Sequence, residues 1–101
     1  MAHYSMTKID PYVTHVLMRD LTGHDRRPAS FLVYLWLSAE AEQRGGDVQI
    51  SYQELAENVG LSKSAAQDAI RWLIKRRLLA AKKKNATAVP SYKILTPWKN
   101  R

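Results

Sequence analysis

Residues 51–79, SYQELAENVGLSKSAAQDAIRWLIKRRLL, are the most informative part of the sequence because they contain two helix starts separated by one turn signal. Ser51 and Glu54 have the spacing of a capping box, in which the hydroxyl and the carboxylate satisfy free amides of a first helical turn. Gly60 can adopt the left-handed backbone that ends this helix, and Ser62 can cap the next one. We therefore expect two helices joined by a short turn.

The second of these helices, over about 62–77, is predicted to be amphipathic. Its inner face carries the apolar residues Ala66, Ala69, Ile70 and Leu73, with Arg77 joining them by its stem. The opposite face carries the polar residues Lys63, Ser64, Gln67, Arg71 and Lys75. That polar face is free for a partner.

The flanking sequence predicts a small sheet and two further helices. Short alternating or apolar runs at 48–50, 78–81 and 91–95 read as strands, and the basic loop 82–90 makes the last two a hairpin with a cationic tip. Upstream, Asp10-Pro11 starts an amphipathic helix over 10–22, and Pro28 starts a largely apolar helix that ends at Gly45-Gly46. We expect residues 1–9 to be a flexible tail and 10–101 to be one domain with its core at 28–95.

The stretch 51–79 resembles the helix-turn-helix core of prokaryotic winged-helix regulators. Ser62-Lys63-Ser64 is similar to the opening of their recognition helices, and the sequence AIRWL from Ala69 resembles the continuation found in gluconate-repressor-type regulators. The upstream helix and strand are similar to winged-helix domains of phage and plasmid replication proteins. The resemblance implies a mainly α fold with a small β-sheet, a winged helix-turn-helix with an extra N-terminal helix.

Two positions depart from the pattern of that family. Arg76-Arg77 stands where many relatives have an acidic residue or Lys followed by Gly, so we expect an extended helix end and a tilted wing. Asp68 lies in the recognition helix, where its carboxylate repels phosphate unless it meets a cytosine amino group or a neighbouring basic side chain.

The resemblance implies double-stranded DNA as the partner, with the 62–77 helix in the major groove. Gln67 can pair with adenine and Arg71 with guanine. Ser51, Tyr52 and the N-terminal amides of the second helix are better suited to phosphate. The residues expected at the interface are Ser51, Tyr52, Ser62, Lys63, Ser64, Gln67, Arg71, Lys75, Lys82, Lys83, Lys84 and Asn85. The lysines of the wing are expected on the DNA backbone or in the minor groove.

The charge distribution supports a polyanionic partner. The formal charge is +7, with five Lys/Arg against six Asp/Glu in residues 1–50 and eleven against three in 51–101. No acidic residue follows Asp68, so the C-terminal third should attract nucleic acid or, as a second candidate, an anionic membrane surface. The alternative is that the excess of lysine only keeps a small protein soluble and has no polyanionic partner.

Several classes of function find no support in the sequence. The absence of cysteine removes disulfides and thiolate catalysis, and His3, His15 and His24 are too scattered for a metal site. No catalytic grouping or phosphate loop stands out, so we expect no enzyme, no cofactor and no small-molecule ligand. The longest apolar run, 31–37, is too short to span a bilayer, and we expect a cytoplasmic, nucleoid-associated protein.

The favoured hypothesis is a sequence-specific transcriptional regulator. The alternatives are an accessory protein of replication or plasmid maintenance, a non-specific architectural DNA binder, and a winged-helix adaptor that binds only protein. Surplus apolar residues in the helix from Pro28 predict a homodimer through the N-terminal helices. If the first helix instead folds back onto its own domain, the protein would remain a monomer. Tyr34, Trp36 and Trp72 are expected in the core or an interface, and Trp98 as a terminal staple.

Overall fold

The computed structural model describes residues 6–99. An N-terminal helical segment contains two π-helical stretches, Val13–Leu17 and Asp20–His24. It is followed, within the described residues, by the helices α1 (Pro28–Arg44), α2 (Tyr52–Val59) and α3 (Lys63–Lys75), the strands β1 (Val48–Gln49), β2 (Leu79–Lys82) and β3 (Ser91–Ile94), and a 3-10 turn at Pro97–Lys99. The predicted fold class and the predicted order of the elements are confirmed.

The helix-turn-helix forms through the local contacts that the sequence predicts. Ser51 accepts a hydrogen bond from the Glu54 amide at 3.1 Å, and the Glu54 carboxylate accepts one from the Ser51 amide at 3.5 Å. Gly60 ends α2 with a φ of 84°. Ser62 then caps α3 by accepting from the Ala65 amide at 3.1 Å. The turn at 60–62 therefore fixes how α3 sits against α2.

The expected extension at the end of α3 is wrong. The helix ends at Lys75, and Arg77 takes the left-handed conformation with a φ of 58°. The Leu78 amide donates to the Leu73 carbonyl at 2.8 Å, and the Arg77 amide donates to the Ile74 carbonyl at 3.0 Å. These two bonds make a Schellman motif, in which Arg77 occupies the place usually held by glycine. Because of this reversal Arg77 is exposed rather than part of the inner face.

The N-terminal helix begins as predicted but has wider turns. The Asp10 carboxylate accepts a hydrogen bond from the Tyr12 amide at 2.9 Å and so starts the helix. The helical bonds then link residues five apart, and the turns continue through His24 rather than ending near residue 22. Val13, Leu17 and Leu21 recur every fourth position and are all buried in the core. The segment is therefore folded back onto the same core as the helix-turn-helix.

Helix α1 is the centre of the core, as its all-round apolar sequence predicts. Its buried residues include Val33, Tyr34 and Leu37, each at most 1% exposed. The Tyr34 hydroxyl donates to the carbonyl of Leu95 at 2.8 Å, which ties α1 to the end of β3. Burial raises the pKa of Tyr34 to about 12, so this phenol stays protonated and able to donate.

The sheet is antiparallel with the strand order β1-β3-β2. Tyr92 of the central strand faces Val48 on one side and Ala81 on the other. Its ring is buried in the core, whereas the hairpin loop after β2 extends into solvent. The wing of the fold is thus the hairpin that follows α3, made of β2, β3 and the loop between them.

Trp98 closes the domain by contact with its beginning, as predicted for a terminal staple. Its ring stacks on Tyr12 with 4.5 Å between ring centres and 12° between planes. Its indole Nε1 donates to the Asp10 carboxylate at 3.1 Å. None of the helices described between residues 6 and 99 is long and apolar enough to cross a bilayer.

Two further expectations concern the N-terminal tail and the buried aromatic residues. The expected loose tail lies partly outside the described residues, as does His3. Within the described part, Thr7 accepts a hydrogen bond from the Gln43 side chain of α1 at 2.9 Å. Trp36 and Trp72 are half-buried and pack against the core, as expected.

Candidate nucleic-acid interface

The exposed face of α3 begins at the turn that separates it from α2. Lys63 and Ser64 lie in the first helical turn, and both side chains are exposed. The Ser64 hydroxyl lies 3.4 Å from that of Ser62, whose oxygen is already engaged in capping. Among the ion pairs of residues 6–99, Lys63 takes part in none. The start of α3 therefore offers a cation and a hydroxyl that a partner can contact.

The middle of α3 carries the two residues expected to distinguish bases. Gln67 is half-buried, so less of its amide is available than the sequence pattern indicates. Arg71 is exposed and pairs with Asp68 at 3.3 Å, with both side chains about two thirds exposed. The expected basic neighbour of Asp68 is thus present, and it offsets the negative charge on this face. An ion pair this exposed contributes little to the stability of the fold, so Arg71 can leave Asp68 to contact a partner.

The wing places its lysines together at the end of β2. Lys82 is the last residue of β2, and Lys83, Lys84 and Asn85 follow it in the exposed loop. The Asn85 side-chain oxygen accepts from the amide of Thr87 at 3.1 Å, which fixes the turn at the tip. At the base of the wing the Ile50 amide donates to the carbonyl of Pro90 at 3.2 Å. The loop is therefore attached at both ends while its cationic side chains remain free of ion pairs among residues 6–99.

The start of α2 is more occupied than the rest of the candidate interface. The hydroxyl of Ser51 donates to the Glu54 carboxylate at 3.1 Å besides accepting from its amide. Tyr52 is half-buried and packs against the core, with its phenol close enough to Tyr92 to affect it. Burial and the neighbouring Tyr52 phenol raise the pKa of Tyr92. Both residues expected at phosphate from α2 thus have internal partners as well.

Comparison with known proteins identifies the segment that contains α2 and α3. A family model described as winged helix-turn-helix DNA-binding matches residues 46–79. This segment is similar to that family and contains the helix-turn-helix part of the winged fold. No curated protein and no solved structure matches the chain.

The match covers the central part of the fold and supports a DNA-binding winged-helix protein. It begins just before β1, includes α2 and α3, and ends at the first residue of β2. The wing loop, α1 and the N-terminal helical segment lie outside it. The resemblance to gluconate-repressor-type and replication-protein domains goes beyond the family assignment and stays a prediction.

An ion-pair cluster attaches the N-terminal segment to the C-terminal end of α3. Arg76 donates to the carboxylates of Asp25 and Asp20, the second at 2.7 Å. Trp72 Nε1 donates to Asp25 at 2.9 Å, and His24 lies 2.9 Å from the same carboxylate. Although burial opposes it, the hydrogen bonds from His24 and Trp72 and the charge of Arg76 lower the pKa of Asp25. This carboxylate is therefore held ionised.

The same cluster brings three potential metal ligands together, from Asp20, His24 and Asp25. One ligand atom of each lies within 4.8 Å of the others. Arg76 already neutralises both carboxylates, and the His24 side chain is 81% exposed. The geometry is that of an ion-pair network, and the scattered histidines in the sequence gave no indication of it.

Residues of the loop before α1 were missed by the sequence analysis as part of this surface. The Arg27 guanidinium lies over the Trp72 ring, 4.2 Å from its centre, and the Lys75 ammonium lies 5.4 Å from the same centre. The polar composition of residues 24–27 indicates only a loop. The one signal in the sequence for a positively charged surface there is the adjacent pair Arg26 and Arg27. Their position beside α3 depends on tertiary packing that the spacing does not encode.

Proposed function

We propose that this chain is a sequence-specific DNA-binding protein that acts in transcriptional control. It inserts α3 into the major groove and binds without catalysing a reaction. Its place of action is the nucleoid. The observation that supports this most directly is the free polar face of α3, with Lys63 and Ser64 at its exposed start and Arg71 two turns further on.

The dimensions of α3 suit that role. Its 13 residues span about 20 Å at the α-helical rise, and the major groove is about 12 Å wide. The helix from Lys63 to Arg71, about 12 Å of its axis, can therefore lie against base edges while its last turn passes the groove wall. In this arrangement Gln67 pairs with adenine and Arg71 with guanine, the pairings that their donor and acceptor geometry favours.

The wing supplies contacts that do not depend on sequence. Lys82, Lys83 and Lys84 lie together at the exposed end of β2 and the start of the loop. In the proposed complex they contact the DNA backbone or the minor groove beside the site of α3. Each phosphate that they neutralise releases about 0.9 counterion, which makes binding steeply dependent on salt. Ser51, Tyr52 and Ser62 border the turn and complete the surface, with Asn85 shaping the tip.

The experiment that tests this function is a titration of labelled random-sequence duplex DNA at about 50 and 200 mM salt. Some five phosphate contacts predict a slope of about −4 to −5 in log K against log salt. Retention at low salt with loss at high salt supports DNA binding. A chain that binds no duplex even at low salt would instead be an adaptor for another protein.

We further propose that two copies pair through the N-terminal half. The support is apolar surface left over after folding: Leu32 of α1 is 45% exposed and Ile9 is 51% exposed. Both border a groove of about 360 Å³ whose other apolar lining comes from Leu35, Trp36, Ala39 and Val59. The folded-back N-terminal segment covers part of the apolar surplus but leaves Leu32 and Ile9 exposed. A two-fold pair would set two recognition helices about 34 Å apart and require an inverted-repeat target.

A further inference from the structure

A cleft between the turn before α1 and the C-terminal half of α3 combines positive charge with an aromatic floor. It has a volume of about 250 Å³ and is lined by Arg27, Asp68, Arg71, Trp72 and Lys75. The ring of Trp72 has the Arg27 guanidinium at 4.2 Å and the Lys75 ammonium at 5.4 Å from its centre. Two cations are therefore held beside one ring despite their mutual repulsion.

The backbone that presents Arg27 is fixed by hydrogen bonds. The Asp25 amide donates to the Asp20 carbonyl at 2.9 Å, and the Arg27 amide donates to the Leu21 carbonyl at 2.8 Å. Trp72 is fixed in turn, because its Nε1 donates to the Asp25 carboxylate at 2.9 Å. The Arg27 guanidinium thus stacks on a ring that is itself held in place. Less side-chain entropy is therefore lost when Arg27 binds a ligand.

The two cations beside the Trp72 ring are not neutralised by a carboxylate in the part of the chain that the structure describes. Among the ion pairs of residues 6–99, Arg27 and Lys75 take part in none. The one carboxylate in the lining, that of Asp68, already pairs with Arg71 at 3.3 Å. Both free cations are exposed, so an anion can reach them without a change in the fold.

The position of the cleft relates it to the DNA expected on α3. Lys75 lies eleven residues after Ser64, about 16 Å along the helix axis. Since the major groove is about 12 Å wide, a helix whose first turn meets base edges carries Lys75 to the phosphates that line the groove. Arg27 lies beside it but comes from outside the segment that matches the family.

We propose that Arg27 and Lys75 form a clamp for one backbone phosphate of the bound duplex. Arg27 provides planar paired donors and Lys75 a point charge, and both kinds of cation commonly bind phosphate. Arg71 remains directed to the bases. The inference rests on the proposed function, and it gives the N-terminal segment a role in DNA binding because that segment positions Arg27.

The test is the salt dependence of binding to a labelled random-sequence duplex, measured with the full chain and with Arg27→Gln. We expect the slope of log K against log salt to become shallower by about 0.9, and affinity at low salt to fall roughly tenfold. Lys75→Gln should have a similar effect, and because this side chain is exposed the fold should tolerate the change.

Lys8→Gln is the matched control. It removes the same charge near the far end of α1, where the Lys8 amide donates to Glu42 at 3.5 Å, and it should bind like the unmodified chain. Unchanged slopes in Arg27→Gln and Lys75→Gln, with the unmodified chain still binding, would overturn the clamp alone. If the unmodified chain binds no duplex at low salt, the proposed function fails and the clamp with it.

Discussion

The carboxylate of Asp25 accepts a hydrogen bond from the indole Nε1 of Trp72 at 2.9 Å, across 47 positions of sequence. Because Arg76 donates to the same carboxylate, the N-terminal segment is attached to the end of α3 at two points. The Asp25 side chain is only 4% exposed, so these bonds are shielded from water. The C-terminal end of α3 is thus held by a segment that lies outside residues 46–79, the part that matches the family.

We expect Asp25→Asn to lower the free energy of unfolding by roughly 1–2 kcal/mol at pH 7, because a shielded ion pair is lost. The loss is limited to this range because the Arg76 side chain is still partly exposed to water. The pKa of Asp25 is lowered in the folded chain from its ordinary 3.8, so its contribution is present above that value and disappears as the pH falls through the lower folded pKa. Urea unfolding at pH 7 and about 2.5 measures this.

Asp47→Asn is the matched control for that experiment, because its side chain is exposed and takes part in none of the ion pairs of residues 6–99. It should change stability by no more than about 0.5 kcal/mol. A difference between Asp25→Asn and the unmodified chain that is as large at low pH as at pH 7 would contradict the ion-pair account.

Arg77→Gly should stabilise the chain by about 0.5–1 kcal/mol. The φ of 58° costs a side chain about 1–2 kcal/mol, which exceeds the entropy that glycine adds to the unfolded state. Gly60→Ala, at a φ of 84°, should shift thermal unfolding in the opposite direction. Destabilisation by Arg77→Gly would mean that the arginine side chain has a stabilising contact that outweighs the strain.

Local sequence signals predicted the helix-turn-helix well, whereas contacts between distant segments were not predictable. Ser51, Gly60 and Ser62 act within a few residues, so their spacing was sufficient to locate both helices. The end of α3 was missed because Arg77, rather than a glycine, takes the left-handed conformation that follows the helix. The Arg27 stack on Trp72 depends on how the N-terminal segment packs, and no local pattern encodes that.

Changing Lys82, Lys83 and Lys84 together to Ala should flatten the salt dependence of DNA binding equally for all sequences. These side chains are exposed at the wing and are expected to neutralise phosphates, each contributing about 0.9 to the slope. Fluorescence anisotropy with random and preferred duplexes measures this. A slope equal to that of the unmodified chain would remove the wing from the interface.

Sedimentation at micromolar concentration tests the proposed homodimer. We expect a mass near twice 11.6 kDa, and Leu32→Glu should return the monomer because it places a charge on the exposed apolar surface of α1. Glu57→Gln, at an exposed position of α2, serves as a control that should leave the mass unchanged. A mass near 11.6 kDa for the unmodified chain would rule out a stable free dimer.

Selection of bound sequences from a random duplex library tests the central claim, that α3 reads base sequence. We expect enrichment of one motif, as an inverted repeat if the protein is a dimer. On that motif, Gln67→Ala or Arg71→Ala should cost roughly 1–3 kcal/mol with little loss on random DNA. A library that shows no enrichment, although the chain binds it in low salt, would contradict sequence-specific reading and leave non-specific binding through the basic residues.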